Sequence, residues 1–255
     1  MSGVRPAYGI DAPGLVRGFA GTGVVLAVAG LALSFGFAAS WASMLGSALL
    51  IVALYSLGMC ALMLHGSLIV KVRDRERILD LVQWRGDERV LDVGCGRGLM
   101  LVGAAKRLTT GRSVGIDIWS ARDQASNDAE RPLENARREG VAERVEVLTA
   151  DMRDLPFPDG SFNVILSNWV VHNVDDVAER RNALAEMVRV TRPGGSILLT
   201  DIVNHGEYSE ALAALGCTDV SIVILSRLRF GFLRAITFGT FAPATVRAFR
   251  SVAQG

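Results

Sequence analysis

The stretch Glu88–Gly98, ERVLDVGCGRG, reads as a strand running into a glycine turn and then into the start of a helix. Glycines at such a turn let the backbone approach a ligand closely, and the helix beyond them offers unpaired N–H groups. The spacing is G-x-G-x-G over Gly94, Gly96 and Gly98, with Asp92 ahead of it. A dinucleotide fingerprint would place its third glycine at position 99, which is Leu99, so a nicotinamide reductase is disfavoured.

Working outward toward the C-terminus, apolar strand patterns fall at 112–117, 144–149, 163–168 and 196–201. Helical patterns lie between them at about 97–108, 129–139, 175–190 and 207–215, with Pro132 in a first helical turn. Strand–helix alternation argues for a parallel sheet covered on both faces. Two closing strands, about 219–226 and 244–252, have no helical pattern between them and are expected to run antiparallel. Acids stand at successive strand ends. Asp117 follows Gly98 by 19 residues, where a carboxylate can accept from a ribose diol, and Asp151 can accept from an exocyclic adenine amine. Any one of these acids is equally well a solvated loop residue; three in consecutive units converge on a single adenosyl ligand.

Working outward toward the N-terminus, Gly18 to Val70 contains no Asp, Glu, Lys or Arg. A bilayer core of about 30 Å needs about 20 apolar residues as helix, so the run accommodates two spans, about 18–39 and 43–70, turning near Ser40-Trp41-Ala42. Trp41 then sits at an interface, and His65 faces the helix partner or the near interface. Arg5 and Arg17 precede the first span, Lys71, Arg73, Arg75 and Arg77 follow the second, and the turn carries no cation. The positive-inside rule then puts both termini and the domain after the spans in the cytoplasm. The competing readings are a cleaved signal peptide with Ala38-Ala39-Ser40 as processing site, and a buried soluble hairpin. Ser34 and Ala38, small residues at i, i+4, offer a helix-packing face through which copies of the chain can associate. Residues 71–84 read as an amphipathic helix abutting the second span, which divides the chain into a membrane part, 1–70, and a domain, 71–255.

Net charge is +1, so no global field argues for nucleic acid. Cys60, Cys95 and Cys217 have no paired or metal-ligand spacing, in keeping with a reducing compartment, and no metal site is read from the sequence.

Taken in order, these motifs resemble a class I S-adenosylmethionine-dependent methyltransferase of the ubiquinone/menaquinone C-methyltransferase and sterol-methyltransferase type. VLDVGCGRG (90–98), GID (115–117), ADMRDLPFPDGSFNVILSNWVVHNV (150–174) and RPGG (192–195) carry the resemblance, which covers about residues 75–255. It implies a Rossmann-like seven-stranded sheet of order 3-2-1-4-5-7-6 with the last strand antiparallel. It also implies S-adenosylmethionine as cofactor: Gly94, Gly96 and Gly98 along the methionine and ribose, and Asp117 on the ribose hydroxyls. Ile118, Asp151 and Met152 would contact the adenosine, Asn168 would lie beside the reacting methyl, and Asp92 would orient the glycine loop or the methionine amino group. His172 occupies a position where such enzymes often carry His, either as general base or as a packing residue.

The implied activity is methyl transfer to a lipophilic acceptor (a quinone or phenol, an isoprenoid or another lipid) at the cytoplasmic membrane face. The alternative is a membrane-tethered, non-catalytic S-adenosylmethionine-binding module acting through protein partners. In such proteins a segment ahead of the domain often covers the cofactor pocket, a role open to residues 1–17 with Tyr8, or else that segment is a tail. The stretch 222–241, with Arg227, Arg229 and Arg234 among Phe230, Phe232, Phe238 and Phe241, reads either as a headgroup contact or as a strand and loop on the sheet edge.

Overall fold

A computed structural model describes residues 8–37, 39–119 and 128–252. The chain divides into two units, one of Gly9–Val72 and one that joins Tyr8 to Arg73–Gly255.

The smaller unit is a helical hairpin. Helix α1 spans Pro13–Gly36 and α2 spans Ser40–His65, followed by a π-helical turn at Gly66–Val70. The reversal therefore lies just ahead of Ser40, and Trp41 is in the first turn of α2, not in the connection. The first helix starts at Pro13, five residues earlier than the charge-free run suggested, because Arg17 is carried on the helix and bonds back to the Pro13 carbonyl. Glycines let the two helices approach closely. A Cβ on Gly30 would come within 2.9 Å of the Gly46 carbonyl oxygen, and one on Gly23 within 2.7 Å of Leu57. Ser34 lies against Gly46 inside this hairpin, so it packs within one chain; Ala38, its expected companion, lies outside the described residues. His65 closes α2 as an exposed residue. The helical stretches Pro13–Gly36 and Ser40–Leu79 are each long and apolar enough to cross a membrane, with 18-residue segments of mean hydropathy 1.9 and 2.2. Only 11% of the most apolar stretch of each is buried.

The larger unit is a seven-stranded sheet flanked by helices. It is built from α3 (Lys71–Leu79), β1 (Arg89–Val93), α4 (Leu99–Ala105), β2 (Arg112–Asp117), α5 (Glu130–Arg138) and β3 (Val145–Thr149). These are followed by β4 (Phe162–Asn168), α6 (Val177–Val190), β5 (Thr191–Asp201), α7 (His205–Ala214), β6 (Cys217–Val223), α8 (Arg227–Ile236) and β7 (Ala244–Arg250). Strand order is β3-β2-β1-β4-β5-β7-β6, with β7 antiparallel to both neighbours. This is the expected Rossmann-like arrangement. The central strands are apolar on both faces, as parallel strands between helices must be: Val90, Leu91 and Val93 are inaccessible to solvent, and so are Ile165 and Leu166. Asp176 caps α6 by accepting from the Glu179 amide at 2.9 Å.

Three expectations change. A helix, α8, stands between the last two strands, where none was expected; apolar residues on both its faces weaken the 3.6-residue period. The RPGG stretch falls within the bounds of β5, beside a register shift at Phe162/Val164, and Gly194 there takes φ 75°. The amphipathic helix ends at Leu79 and not at 84, because Trp84 turns back to donate to the Leu79 carbonyl at 2.7 Å.

Tyr8 is buried in the larger unit. It donates to Glu139 just past α5 and accepts from Arg75 of α3 at 3.0 Å, while Lys106 and Arg75 both pair with Glu139. Burial holds the Tyr8 hydroxyl far above the ordinary phenol range. Burial also opposes ionisation of Glu139, but its bonds from Lys106 and Tyr8 and the Arg75 charge prevail and keep it below the usual carboxylate value.

Candidate active site

Strand order reverses beside β1, whose neighbours β2 and β4 lead to opposite wings of the sheet. Ligands of open α/β sheets bind outside the carboxyl ends of the strands at such a switch point. The glycine turn lies there. Gly94, Gly96 and Gly98 take φ of 69°, 48° and 79°, a region in which a side chain is strained. The turn is packed from both sides: a Cβ on Gly94 would overlap the Val170 side chain, and one on Gly98 would come within 2.9 Å of Pro132.

Two carboxylates shape this turn. Asp92 is buried at the end of β1 and accepts from the Leu101 amide at 2.8 Å, so it fixes the first turn of α4. Burial pushes its pKa up to about 7, the Leu101 amide opposes the rise and the Asp117 charge adds to it. Asp117 ends β2 and accepts from the Gly96 amide at 2.8 Å and from the Trp119 amide at 2.7 Å. Asp117 thus holds the turn through two backbone amides at the end of β2.

The remaining predicted residues are distributed along the same strand ends. Ile118, directly after β2, is exposed; Met152 packs against the main core; Asn168 ends β4, half-buried. Asp151 already has a partner within the chain. Both its oxygens receive the Arg153 guanidinium, the closer at 2.6 Å, and that bond holds its pKa below the usual carboxylate value. A ligand amine there would share the carboxylate with Arg153.

His172 lies in a single 3₁₀ turn, Val171–Asn173, just after β4. Its Nδ1 is 2.5 Å from Asp201 Oδ1, and its amide donates to Asp201 Oδ2 at 3.1 Å. Asp201 ends β5, buried, and also accepts from the Ile202 amide at 2.8 Å and from the Tyr208 hydroxyl at 3.1 Å. Burial, then the Asp201 charge, holds that phenol well above its ordinary range. This pairing was missed from the sequence. The available signal was that Asp201 ends a strand, as Asp117 does, within SILLTD (196–201). Two tryptophans were also missed. Trp119 (φ 57°), two residues beyond β2, and Trp169 (φ 59°), directly beyond β4, take the left-handed region after the two strands flanking β1. Strain of this kind clusters at functional sites. Trp119 is tied to Thr149 at 2.8 Å, and Trp169 stacks edge-on against Phe241 with centroids 5.5 Å apart.

The donor set therefore fits an adenosylated sulfonium ligand: narrow backbone at the turn, acceptors for a diol, and an oriented imidazole across β4. Comparison with known proteins agrees. Residues 91–199 match the family described as "Methyltransferase domain". The 27-O-demethylrifamycin SV methyltransferase of Amycolatopsis mediterranei is 31% identical over 131 residues, 50% of this chain and 43% of that protein. The demethylmenaquinone methyltransferase of Symbiobacterium thermophilum is 28% identical over 165 residues, 63% of this chain and 53% of that protein. This chain thus spans about half the length of the curated relatives it matches. Among solved structures, the geranyl diphosphate C-methyltransferase of Streptomyces coelicolor, solved with S-adenosyl-L-homocysteine, superposes with a TM-score of 0.54. It is 20% identical, over 70% of this chain and 78% of that one, and so speaks to the fold. The stretch matched from Leu91 to Leu199 is a methyltransferase domain, with S-adenosylmethionine as its cofactor.

Proposed function

We propose that this protein methylates a lipophilic acceptor (a quinone or phenol, an isoprenoid or another lipid) at the cytoplasmic face of a membrane spanned by α1 and α2. The observation that carries this reading is the outward apolar surface of the hairpin on the same chain as the methyltransferase domain. Phe35, Met44, Leu54 and Ile51 are 84, 75, 75 and 70% exposed. A core helix of a water-soluble protein would bury such side chains, and a bilayer gives them apolar surroundings. The basic residues flanking the hairpin favour the cytoplasmic side.

The bound cofactor supplies an electrophilic methyl. On the protein side, Gly94, Gly96 and Gly98 would let the backbone approach the methionine and ribose, Asp117 would receive the ribose hydroxyls, Ile118 and Met152 would contact the adenine, and Asp151 would accept from its amine while also receiving the Arg153 guanidinium. Asn168, at the end of β4, would lie beside the reacting methyl. Asp201 receives His172 Nδ1–H, which fixes the tautomer and leaves the lone pair on Nε2. Nε2 then takes the proton that an acceptor hydroxyl or acidic carbon loses as it gains the methyl. Asp201 offsets the positive charge that develops on the ring.

The test is transfer of labelled methyl from S-adenosylmethionine into a membrane lipid extract, with identification of the labelled species. Labelled product that disappears in the His172→Ala protein, with a loss in kcat of about 10²–10⁴-fold and an unchanged KM for cofactor, supports the reading. Cofactor binding with no labelled lipid in any extract would leave a binding module.

A further inference from the structure

Helix α8 and the residue after its end carry a surface that the methyltransferase fold does not use. Phe238 and Leu228, 93% and 86% exposed, are the two most exposed large apolar side chains among the described residues, and Phe232 is 53% exposed. Leu228, Phe232 and Ala235 follow one another at helical spacing, so they form one outward stripe. The inward side is apolar as well: Leu233 is buried, and Phe230 and Ile236 are half-buried. A helix apolar on both sides needs an apolar neighbour outside the domain. Phe238 is held outward deliberately. It takes φ 52°, a region costly for a bulky residue, while the Gly239 amide bonds back to the Arg234 carbonyl at 2.7 Å and Thr237 bonds to Leu233 and Phe241.

Charge selects the neighbour. From Val220 to Gly255 there is no Asp or Glu, against five arginines. Arg227 and Arg234 are exposed, flank the stripe one heptad apart, and form no ion pair among the described residues. Arg229 instead pairs with Asp74 of α3, which ties α8 to a residue four positions after Val70, the last of the charge-free run. Basic edges along an outward apolar stripe are the composition of helices that lie in the headgroup–acyl boundary.

We propose that α8 and Phe238 form an interfacial docking surface for an anionic bilayer, with Leu228, Phe232 and Phe238 inserted below the headgroups and Arg227 and Arg234 on lipid phosphates. This rests on the reading that α1 and α2 span a membrane, and it adds a second, peripheral contact made by the catalytic unit itself. A protein partner or a second copy would be expected to meet these arginines with acids, and the surface offers none in return for a self-complementary pair.

The experiment uses the full chain with Cys60→Ser, reconstituted in phosphatidylcholine vesicles with and without phosphatidylglycerol. A bimane is attached at Ala235→Cys on the stripe, at Leu54→Cys on the hairpin, or at Glu210→Cys on exposed α7. Brominated lipid is the quencher. We expect loss of intensity at positions 54 and 235 and none at 210, with the loss at 235 greater when phosphatidylglycerol is present. Arg227→Gln with Arg234→Gln should remove that dependence on anionic lipid. Quenching at 54 with position 235 behaving like 210 would overturn the docking surface while leaving the membrane reading intact. Absence of quenching at 54 would overturn both. A signal at 235 that changes with protein density in unbrominated lipid would assign the stripe to a second copy and also overturn the proposal.

Discussion

The hairpin and the methyltransferase unit use the same residue types in opposite ways. In the sheet, apolar side chains such as Leu91, Phe162 and Ile165 are wholly buried; in the hairpin, Leu54, Ile51 and Met44 point outward. In the glycine turn, Gly94 and Gly98 supply backbone angles that other residues adopt at a cost; in the hairpin, Gly23, Gly30 and Gly46 keep ordinary helical angles and supply only space. Water drives the first region together, because removing apolar surface from water is favourable by about 25 cal/mol per Å². If the second lies in a bilayer, as proposed, it lacks that driving force across its outer surface and is held by close helix contact at small residues. On that proposal, one chain is built for two solvents.

The difference breaks most easily at a large side chain. Phe162→Ala should cost about 3–5 kcal/mol in unfolding of the detergent-solubilised protein, whereas Leu54→Ala should stay within about 0.5 kcal/mol. An equal loss at Leu54 would mean that its side chain is packed against protein.

A smaller effect separates the regions by ligand. Asp117→Ala removes the acceptor from a ribose diol and should weaken cofactor binding by about 1–3 kcal/mol, read by calorimetry. Gly46→Ala should loosen the hairpin and leave that affinity where it is.

A pH experiment sharpens the contrast further, since the hairpin holds no carboxylate between Gly18 and Val70. Asp92 has a folded pKa raised to about 7 from the ordinary 3.8, so the folded state binds the proton more tightly than the unfolded one. Its contribution to stability is therefore complete below the unfolded value and is lost as pH rises through about 7. Asp92→Asn should flatten the cofactor-free stability curve over that window. A curve that keeps its slope would assign the effect to other groups.

The smallest expected effect is a change of sign. Gly98→Ala, at φ 79° and hard against Pro132, should destabilise by about 1–2 kcal/mol. Gly58→Ala, helical with open space around it, should stabilise by about 0.5–1 kcal/mol.

Much of the domain could be read in advance because its signals are local. Strand and helix periods placed β1 to β5, and the turn at Asp92–Gly98 announced itself through glycine spacing. The hairpin was visible as a run without charge. What escaped the sequence depends on partners far along the chain. His172 and Asp201 are 29 positions apart and meet only because β4 and β5 are neighbours. Asp151 carries no mark showing that Arg153 would take both its oxygens. Helix α8 was hidden because apolar residues occupy both of its faces, so the contrast that reveals an amphipathic helix is weak. Tyr8, whose segment reads as either a cover over the cofactor or a tail, docks at Glu139, seven residues along from Pro132, or about 10 Å of helix rise.

That docking gives the hairpin the topology of a closed handle. The chain leaves the catalytic unit after Tyr8 and re-enters it at Arg73, and the Tyr8–Arg75 bond joins the two points across 67 positions of sequence. A protease that nicks the connection between Gly36 and Ser40 would cut the covalent handle but not free its first half. That fragment keeps its glycine-lined contact with α2 and its anchored phenol at Glu139. The nicked protein should migrate as one particle in mild detergent and as two pieces only once denatured, whereas Tyr8→Phe, which loses the hydroxyl, would let the shorter piece peel away more readily.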